Sequence, residues 1–492
     1  MRNILFVLFI FLSFIANGQI TFNKTYDSGI DNTFNTLEVT DGFITATTAG
    51  QPINPRFIFL IKTDFNGDTL WEKKYGDSTF YTAIYSLIKL SESRIITGCY
   101  AYDFIQNISF IYLLKLKYDG DTIWTKKIFA PAGFDFYGQY ITLTSDKELL
   151  ISGELADSLL NDGNAFILKA DTNGNYLWHQ TFGGALFDAF YSSIETSDKG
   201  FLSLGWTRSF GFGNLNNRDV YLVKTDSQGN FEWQKTYGDA NFESAFGITA
   251  LMDNNYLLAA DKIINNIEYA WIIKIDSSGS VIWENSYNFG LLSEIWWSRE
   301  LVNKDIISIG ACRNSTNQKD EGLIFCTNEH GYLKWHRTFP MFNNHAYFRD
   351  VQPTSDGGFI CAGFCFTGAS GNQDAWLVKL DSLGCDSADC PVYYTAVEEP
   401  GNPMHNHTMQ LLVYPNPAVN MAIVQTEGFE IKSPNMIQIY GLMGNSVPVE
   451  IAYVNRNSVS FNTKNLANGI YFVKYAETAT GISATTKFLV VH

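Results

Sequence analysis

The sequence predicts an all-β protein built from repeated four-stranded sheets, and three observations carry that prediction. Aromatic residues make up 15% of the 492 residues and glycine contributes 39, a mix that suits short strands joined by tight turns. A unit made of an apolar strand, a D-x-x-G turn and a Trp-bearing strand recurs along most of the chain. Its glycines (Gly67, Gly120, Gly174, Gly229, Gly279, Gly331 and Gly384) are separated by 53, 54, 55, 50, 52 and 53 residues. A four-stranded unit of about 50 residues is one blade of a β-propeller.

The N-terminus reads as a leader. Arg2 supplies a positive end, Ile4 to Ile15 is almost unbroken apolar chain, and Ala16-Asn17-Gly18 sets small residues before a cut. Residues 1–18 are therefore expected to be a signal peptide, cleaved before Gln19. The apolar run is short for a bilayer span, and no later segment reaches about 18 apolar residues. No transmembrane segment is expected in the mature chain. No cysteine follows the run, which argues against a lipid anchor.

The repeats follow. They read IKTDFNGDTLW to Trp71, LKLKYDGDTIW to Trp124, LKADTNGNYLW to Trp178, VKTDSQGNFEW to Trp233, IKIDSSGSVIW to Trp283 and FCTNEHGYLKW to Trp335. A seventh copy, VKLDSLGC, stops at Cys385 without its Trp. Between these units lie turns such as Asp41-Gly42-Phe43, Asp198-Lys199-Gly200-Phe201 and Asp356-Gly357-Gly358-Phe359, each opening another apolar strand. Each repeat thus holds four strands of about 6 to 8 residues joined by Gly, Asn or Asp turns. One such sheet buries too little alone, and a ring of sheets buries both faces of each.

The mature chain begins ITFNKTY, which matches WEKKY and WQKTY of the Trp strands, with Phe22 in the Trp position. Residues 20–26 are expected to complete the last blade and close a seven-bladed propeller over residues 19–390. Recurrence at one strand position makes Trp71, Trp124, Trp178, Trp233, Trp283, Trp335 and Phe22 packing residues between blades.

Residues 391–410 carry prolines, an acidic pair and no strand period, and read as a linker. From Leu411 to His492 a second set of short strands predicts a β-sandwich of about seven strands. Its motifs are LLVYPNPAVN with Tyr414-Pro415-Asn416-Pro417, IQIYGLMGNSV, LANGIYFVKY with Gly469 and Tyr471, and KFLVVH. In this order they resemble the C-terminal sorting domain of the type IX secretion system. The resemblance implies a Gram-negative bacterial protein, recognised by that machinery and either released or attached at the cell surface. The final His492 departs from the basic end common in that family.

Composition excludes some functions. A net charge of −16 repels a phosphate backbone, so nucleic acid is not an expected partner. Seven cysteines are too few to define the fold. Cys385 and Cys390 are the candidate disulfide, and Cys312 and Cys326 stand where a hairpin could bring them together.

The search for chemistry is lean. Loops such as Asp64 to Asp68, Asp171 to Asn175 and Asp226 to Asn230 lack the ligand ladder and distal Glu of a calcium loop, and read as capped turns. The D-x-x-G-x-x-x-W pattern resembles pyrroloquinoline-quinone propellers in scaffold only, so no cofactor is expected. His405-Asn406-His407 lies in the linker and reads as spacer. Asp68-Thr69-Leu70, Asp121-Thr122-Ile123, Asp157-Ser158-Leu159 and Asp381-Ser382-Leu383 resemble a short bacterial O-glycosylation motif. No nucleophile, metal or phosphate-loop signature is present, so no residue is named as catalytic or as a metal ligand. Trp206, Arg208 and Arg218 on the long loop WTRSFGFGNLNNRD, together with Trp296, are the candidate ligand contacts. Trp297 aligns with Tyr85 and Phe348 of other repeats and reads as structural.

The expected function is a secreted or surface-held monomer that binds a glycan or protein without chemistry. Its rivals are a glycan hydrolase or lyase, and a structural adhesin. Three or more acidic or histidine side chains converging at one channel mouth would mark the enzyme. An aromatic shelf at Trp206 without them would mark the binder.

Overall fold

The computed structural model describes residues 19–27, 35–50, 56–157, 162–212, 217–341, 344–367, 373–387, 410–414, 418–427, 431–441, 445–455, 458–477 and 482–492. The expected signal peptide, residues 391–409 of the expected linker (with its His-Asn-His) and Pro415 to Pro417 lie outside them. The chain divides into two compact units, Met1–Tyr393 and Tyr394–His492.

Seven four-stranded antiparallel sheets make up the first unit among the described residues. Six use consecutive strands and span residues 35–75, 80–129, 134–182, 188–237, 243–287 and 293–339, here blades 1 to 6. Blade 7 joins Ala346–Pro353, Phe359–Phe366 and Gln373–Leu380 to the early strand Phe22–Tyr26. That strand pairs with Gln373–Leu380 in a register running from Phe22↔Lys379 to Tyr26↔Ala375. Strand lengths run from 5 to 12 residues, wider than the expected range.

Local chemistry explains the turns. Asp64 Oδ1 accepts the backbone N–H groups of Asn66 and Asp68, both at 2.8 Å. Asp171, Asp226, Asp276 and Asp381 repeat the arrangement, and Asn328 substitutes in blade 6. The aspartates spend their oxygens on capping, and the glycine that ends each turn has φ between 74° and 82°. At the turn between the inner strand and the next, a buried lysine reaches the turn aspartate: Lys62–Asp41, Lys169–Asp146, Lys224–Asp198, Lys274–Asp253 and Lys379–Asp356, all at 2.8–2.9 Å. In blade 6 Cys326 occupies the lysine position, and Lys334 on the outer strand reaches Asp305 instead (2.6 Å).

The core is divided into seven apolar clusters, one between each pair of neighbouring blades. The last unites Phe22, Tyr26, Ile360 and Leu377 of blade 7 with Phe43, Phe59 and Ile61 of blade 1, so the sheets form a closed circle. Middle strands such as Phe201–Thr207 and Asp219–Thr225 are buried throughout, inner strands such as Ser293–Glu300 are partly buried, and outer strands such as Thr69–Tyr75 alternate with solvent.

The recurring aromatics interlock the blades. Each sits on an outer strand and packs against the turn glycine of the next blade: Phe22 on Gly67, Trp71 on Gly120, Trp124 on Gly174, Trp178 on Gly229, Trp233 on Gly279, Trp283 on Gly331 and Trp335 on Gly384. A Cβ on any of these glycines would stand 2.5–3.1 Å from that ring. Four residues beyond the aromatic, Tyr26, Tyr75, Tyr237 and Tyr287 each donate to the carbonyl of the same glycine at 2.5–2.7 Å.

Cys312 and Cys326 lie on adjacent strands but in distant registers, Cys312↔Glu321 and Ile307↔Cys326, and both are free, buried thiols. They pack as small apolar groups. Cys385 is disulfide-bonded, while Cys390 lies outside the described residues.

The second unit contains two four-stranded sheets, one more strand than expected. Gln410–Tyr414, Met421–Glu427, Ser458–Asn462 and Ile451–Asn455 form one. Ser446–Val447, Ile437–Gly441, Gly469–Glu477 and Ile482–Val490 form the other. Ala422, Val424, Ile439, Val473, Tyr475 and Phe488 fill the space between them. Tyr471 packs on Phe488 and donates to the Ala467 carbonyl (2.9 Å).

Gly229 and Gly133 separate the two roles of glycine. Both have positive φ, but a Cβ on Gly229 meets the Trp178 ring at 2.6 Å and one on Gly133 meets nothing within 4 Å. Gly133→Ala should cost about 1–2 kcal/mol of backbone strain. Gly229→Ala should cost about 1–3 kcal/mol more by overpacking. Denaturant midpoints of the two variants measure this, and equal losses would refute the interlock.

Candidate functional site

The inner strands of blades 2 to 7 share a one-residue bulge, which leaves Tyr85, Gln139, Tyr191, Phe246, Trp296 and Arg349 as the extra residues. A bulge re-aims the side chain it carries. On blades 4 to 7 these side chains stack in series. Tyr191 meets Phe246 (5.0 Å between centroids), Phe246 stacks on Trp296 (4.2 Å), and the Arg349 guanidinium lies 3.4 Å from the Trp296 centroid. One residue further, Tyr140 of blade 3 stacks on Trp297 of blade 6 at 4.9 Å. These blades stand three steps apart round the ring, so the stack crosses the axis. Trp297 is therefore structural, but it matches Tyr140; the bulge pairs Trp296 with Tyr85 and Arg349.

The predicted ligand contacts are built differently from an open platform. Trp296 reaches the axis with both faces covered, by Phe246 and Arg349. Trp206 is only 6% exposed, and the Arg218 guanidinium lies 3.9 Å from its ring centroid and 5.4 Å from that of Phe242. Arg208 and Arg218 each keep a buried Nε without a partner. An aromatic shelf open to a sugar is not what these residues make, because the cation already occupies the ring.

Chemistry gathers instead on blades 5 to 7, at residues the sequence reading did not single out. Asp261, Glu268 and Glu294 come from the second and third strands of blade 5 and the inner strand of blade 6. One carboxylate oxygen of each lies within 4.8 Å of the others. Asp261 Oδ1 also accepts the Ile295 N–H at 2.8 Å, which ties the two blades. Burial raises Asp261, and the Glu294 charge raises it further. Burial and the same neighbour push Glu268 up to about 7. Burial raises Glu294, against the pull of Arg349. Arg349 is itself brought down to about 10 by burial, and its Nε and Nη1 are buried without a partner. These three carboxyls have the oxygen chemistry to hold a hard cation, though the guanidinium supplies positive charge beside them.

A second constellation adjoins them. Asp320, 2% exposed, accepts Arg313 Nε at 2.8 Å and Nη2 at 3.2 Å, and also the Tyr347 hydroxyl. His345 Nδ1 lies 2.8 Å from Asp320 Oδ2 and 3.2 Å from the Asp320 N–H. Nδ1 thus sits between the carboxylate and the backbone N–H of Asp320, which holds the ring in place. Tyr347 stacks on Phe364 at 5.0 Å. A groove of about 600 Å³ elsewhere, lined by Lys126, Phe129, Tyr176 and His179, lies at the outer strands of blades 2 and 3 and brings no such group together.

The two rims of the ring differ in electrostatics. On the rim of the Asp-Gly turns, burial opposes ionisation of Asp146 and Asp198. Hydrogen bonds from Lys169 and Thr144, and from Thr196 and Lys224, outweigh it and hold both at about 2. On the opposite rim, burial dominates. It lifts Glu154 to about 7 against Arg218, Glu243 to about 7 against the Asp239 N–H, and Asp219 to about 6 against the Phe212 N–H.

Comparison with known proteins bears on export. Residues 412–491 match the family model of the secretion system C-terminal sorting domain. The chain therefore carries a type IX sorting domain, which marks proteins exported to the cell surface or secreted. No curated protein matches the sequence. Among solved structures, the chain is similar to PorZ, a surface component of the type IX secretion system of Porphyromonas gingivalis. The two are 10% identical, with 96% of this chain and all of that one covered and a TM-score of 0.32. It is similar to an ulvan lyase of polysaccharide lyase family 25 (8% identity, 73% and 96% covered, TM-score 0.49). It is also similar to the β-propeller domain of the Trilobed protease of Pyrococcus furiosus (8%, 72% and 94%, TM-score 0.41). At such identities and TM-scores these likenesses carry no argument.

The rims predict the pH profile of stability. Glu154, Glu243, Glu268 and Asp219 have folded pKa values above their unfolded ones, so folding takes up protons between about pH 4 and 7. Their stabilisation is complete below that window and lost as pH rises through about 7. Asp146 and Asp198 have depressed values, and their contribution is lost as pH falls through about 2. With chelator present, the melting temperature should peak near pH 4–5 and fall towards pH 8. Glu268→Gln should flatten that fall. A melting temperature that climbs steadily from pH 5 to 8 would contradict the assignment.

Proposed function

We propose that the exported propeller is a glycan-active enzyme, with acid–base chemistry at the axial rim of blades 5 to 7. The observation that supports this reading is the convergence of Asp261, Glu268 and Glu294, with one oxygen of each within 4.8 Å of the others. Glycosidic cleavage needs one carboxyl that keeps its proton near neutral pH beside another that is ionised. Glu268, held at about 7 by burial and by Glu294, suits the acid role. Asp320 orienting His345 offers a neighbouring base, and Arg313 and Arg349 offer planar donors to sugar hydroxyls or carboxylates.

A second reading, a binder without chemistry, is favoured by Arg349. Its guanidinium already acts on the carboxyls, opposing the rise that burial imposes on Glu294. One experiment separates the two: a polysaccharide array probed with the mature chain for retention and for released products. The enzyme reading expects product release, reduced about 10²–10⁴-fold in Glu268→Gln and Glu294→Gln while retention persists. Retention with no product from any polysaccharide would leave only the binder. Turnover undiminished in both variants would overturn the assignment of the site.

A further inference from the structure

We propose that Asp219 and Glu243, where blades 4 and 5 meet, hold a calcium-like divalent cation. Asp219 begins the third strand of blade 4 and Glu243 the inner strand of blade 5. They are 3% and 0% exposed. Asp219 Oδ1 and Glu243 Oε1 are both buried without a hydrogen-bond partner. Both side chains reach the open side of Gly238, where a Cβ would stand 2.4 Å from Glu243 Oε2 and 2.8 Å from Asp219 Oδ1. The remaining oxygens are anchored, with Phe212 N–H on Asp219 Oδ2 (3.2 Å) and Asp239 N–H on Glu243 Oε2 (3.3 Å). Asp239 adds negative charge, and Lys262 is the cation facing Glu243; its Nζ stands 4.5 Å from the Trp271 centroid.

The repeat supplies its own control. At the junction of blades 3 and 4 the same positions hold Asn164, Asp188 and Gly183. There an amide faces the acid, and Asp188 accepts from Gly184 N–H (2.9 Å), the Ser209 hydroxyl (2.6 Å) and the Thr207 hydroxyl. One junction is an amide and an acid with the acid's oxygens satisfied. The next is two acids with an orphaned oxygen on each. Buried orphan oxygens are expensive and ask for a partner. Carboxylate oxygens set around a glycine suit a hard divalent cation, and extracellular calcium modules bind with Kd of about 10⁻⁴–10⁻³ M.

The test uses the mature full chain, stripped with EDTA at about pH 8 and about 0.15 M salt. Calcium chloride at about 1 mM should raise the melting temperature by several degrees. Asp219→Asn copies the neighbouring junction, and it should abolish that shift while raising the metal-free melting temperature. Glu268→Gln, in the other carboxyl group, should keep the calcium response, so failure here is distinct from failure of the enzymatic reading. Terbium luminescence gives a second readout, with a calcium-displaceable signal in the wild type that Asp219→Asn diminishes and Glu268→Gln retains. Two results overturn the proposal: a wild-type chain unmoved by calcium at this pH, or a shift that survives both Asp219→Asn and Glu243→Gln.

Discussion

Ring closure by ring-on-glycine contacts is the constraint on which everything else rests. Every blade lays an aromatic from its outer strand onto the turn glycine of its neighbour, and the series closes only because Phe22 fills the place that a seventh Trp would hold. The glycine is needed twice at these turns, for its positive φ and for the absence of a Cβ beneath a flat ring. The tyrosine that follows adds a hydrogen bond to the same glycine in four junctions, so orientation is fixed as well as distance. With the blades locked at their periphery, the inner strands can carry bulges without the circle losing its register.

That division of labour explains the contrast between the rims. Where the blades are interlocked, each carboxylate is matched by a lysine or by backbone N–H groups. On the other rim the strands arrive with acids, arginines and aromatics whose partners are incomplete. Charge left unsatisfied in a rigid frame is a standing cost to stability, and proteins keep such costs where ligands or protons settle them.

The repeat made much of the fold legible. The D-x-x-G spacing located the turns, and the missing Trp of the last copy pointed to the N-terminal strand. The lysine–aspartate pairing was present in the sequence too, as I-K-T beside D-G-F, and becomes readable once the blade 6 change to Cys326 and Lys334 is set beside it. The site was less legible. A one-residue bulge shifts the register, so aligning Trp297 with Tyr85 missed that Trp296 and Arg349 share a column. Trp206 and Arg218 looked like a ligand platform because a motif cannot tell an arginine beside a ring from one lying on it. Asp261, Glu268, Glu294, Asp320 and His345 come from three blades, and nothing local to any of them announces that they meet.

The stacking of Tyr140 on Trp297, with the Phe246–Trp296–Arg349 series above it, fills the middle of the circle. At that level the axis of the first unit is packed with side chains, so a ligand of the ring would meet it at a rim and not inside a bore.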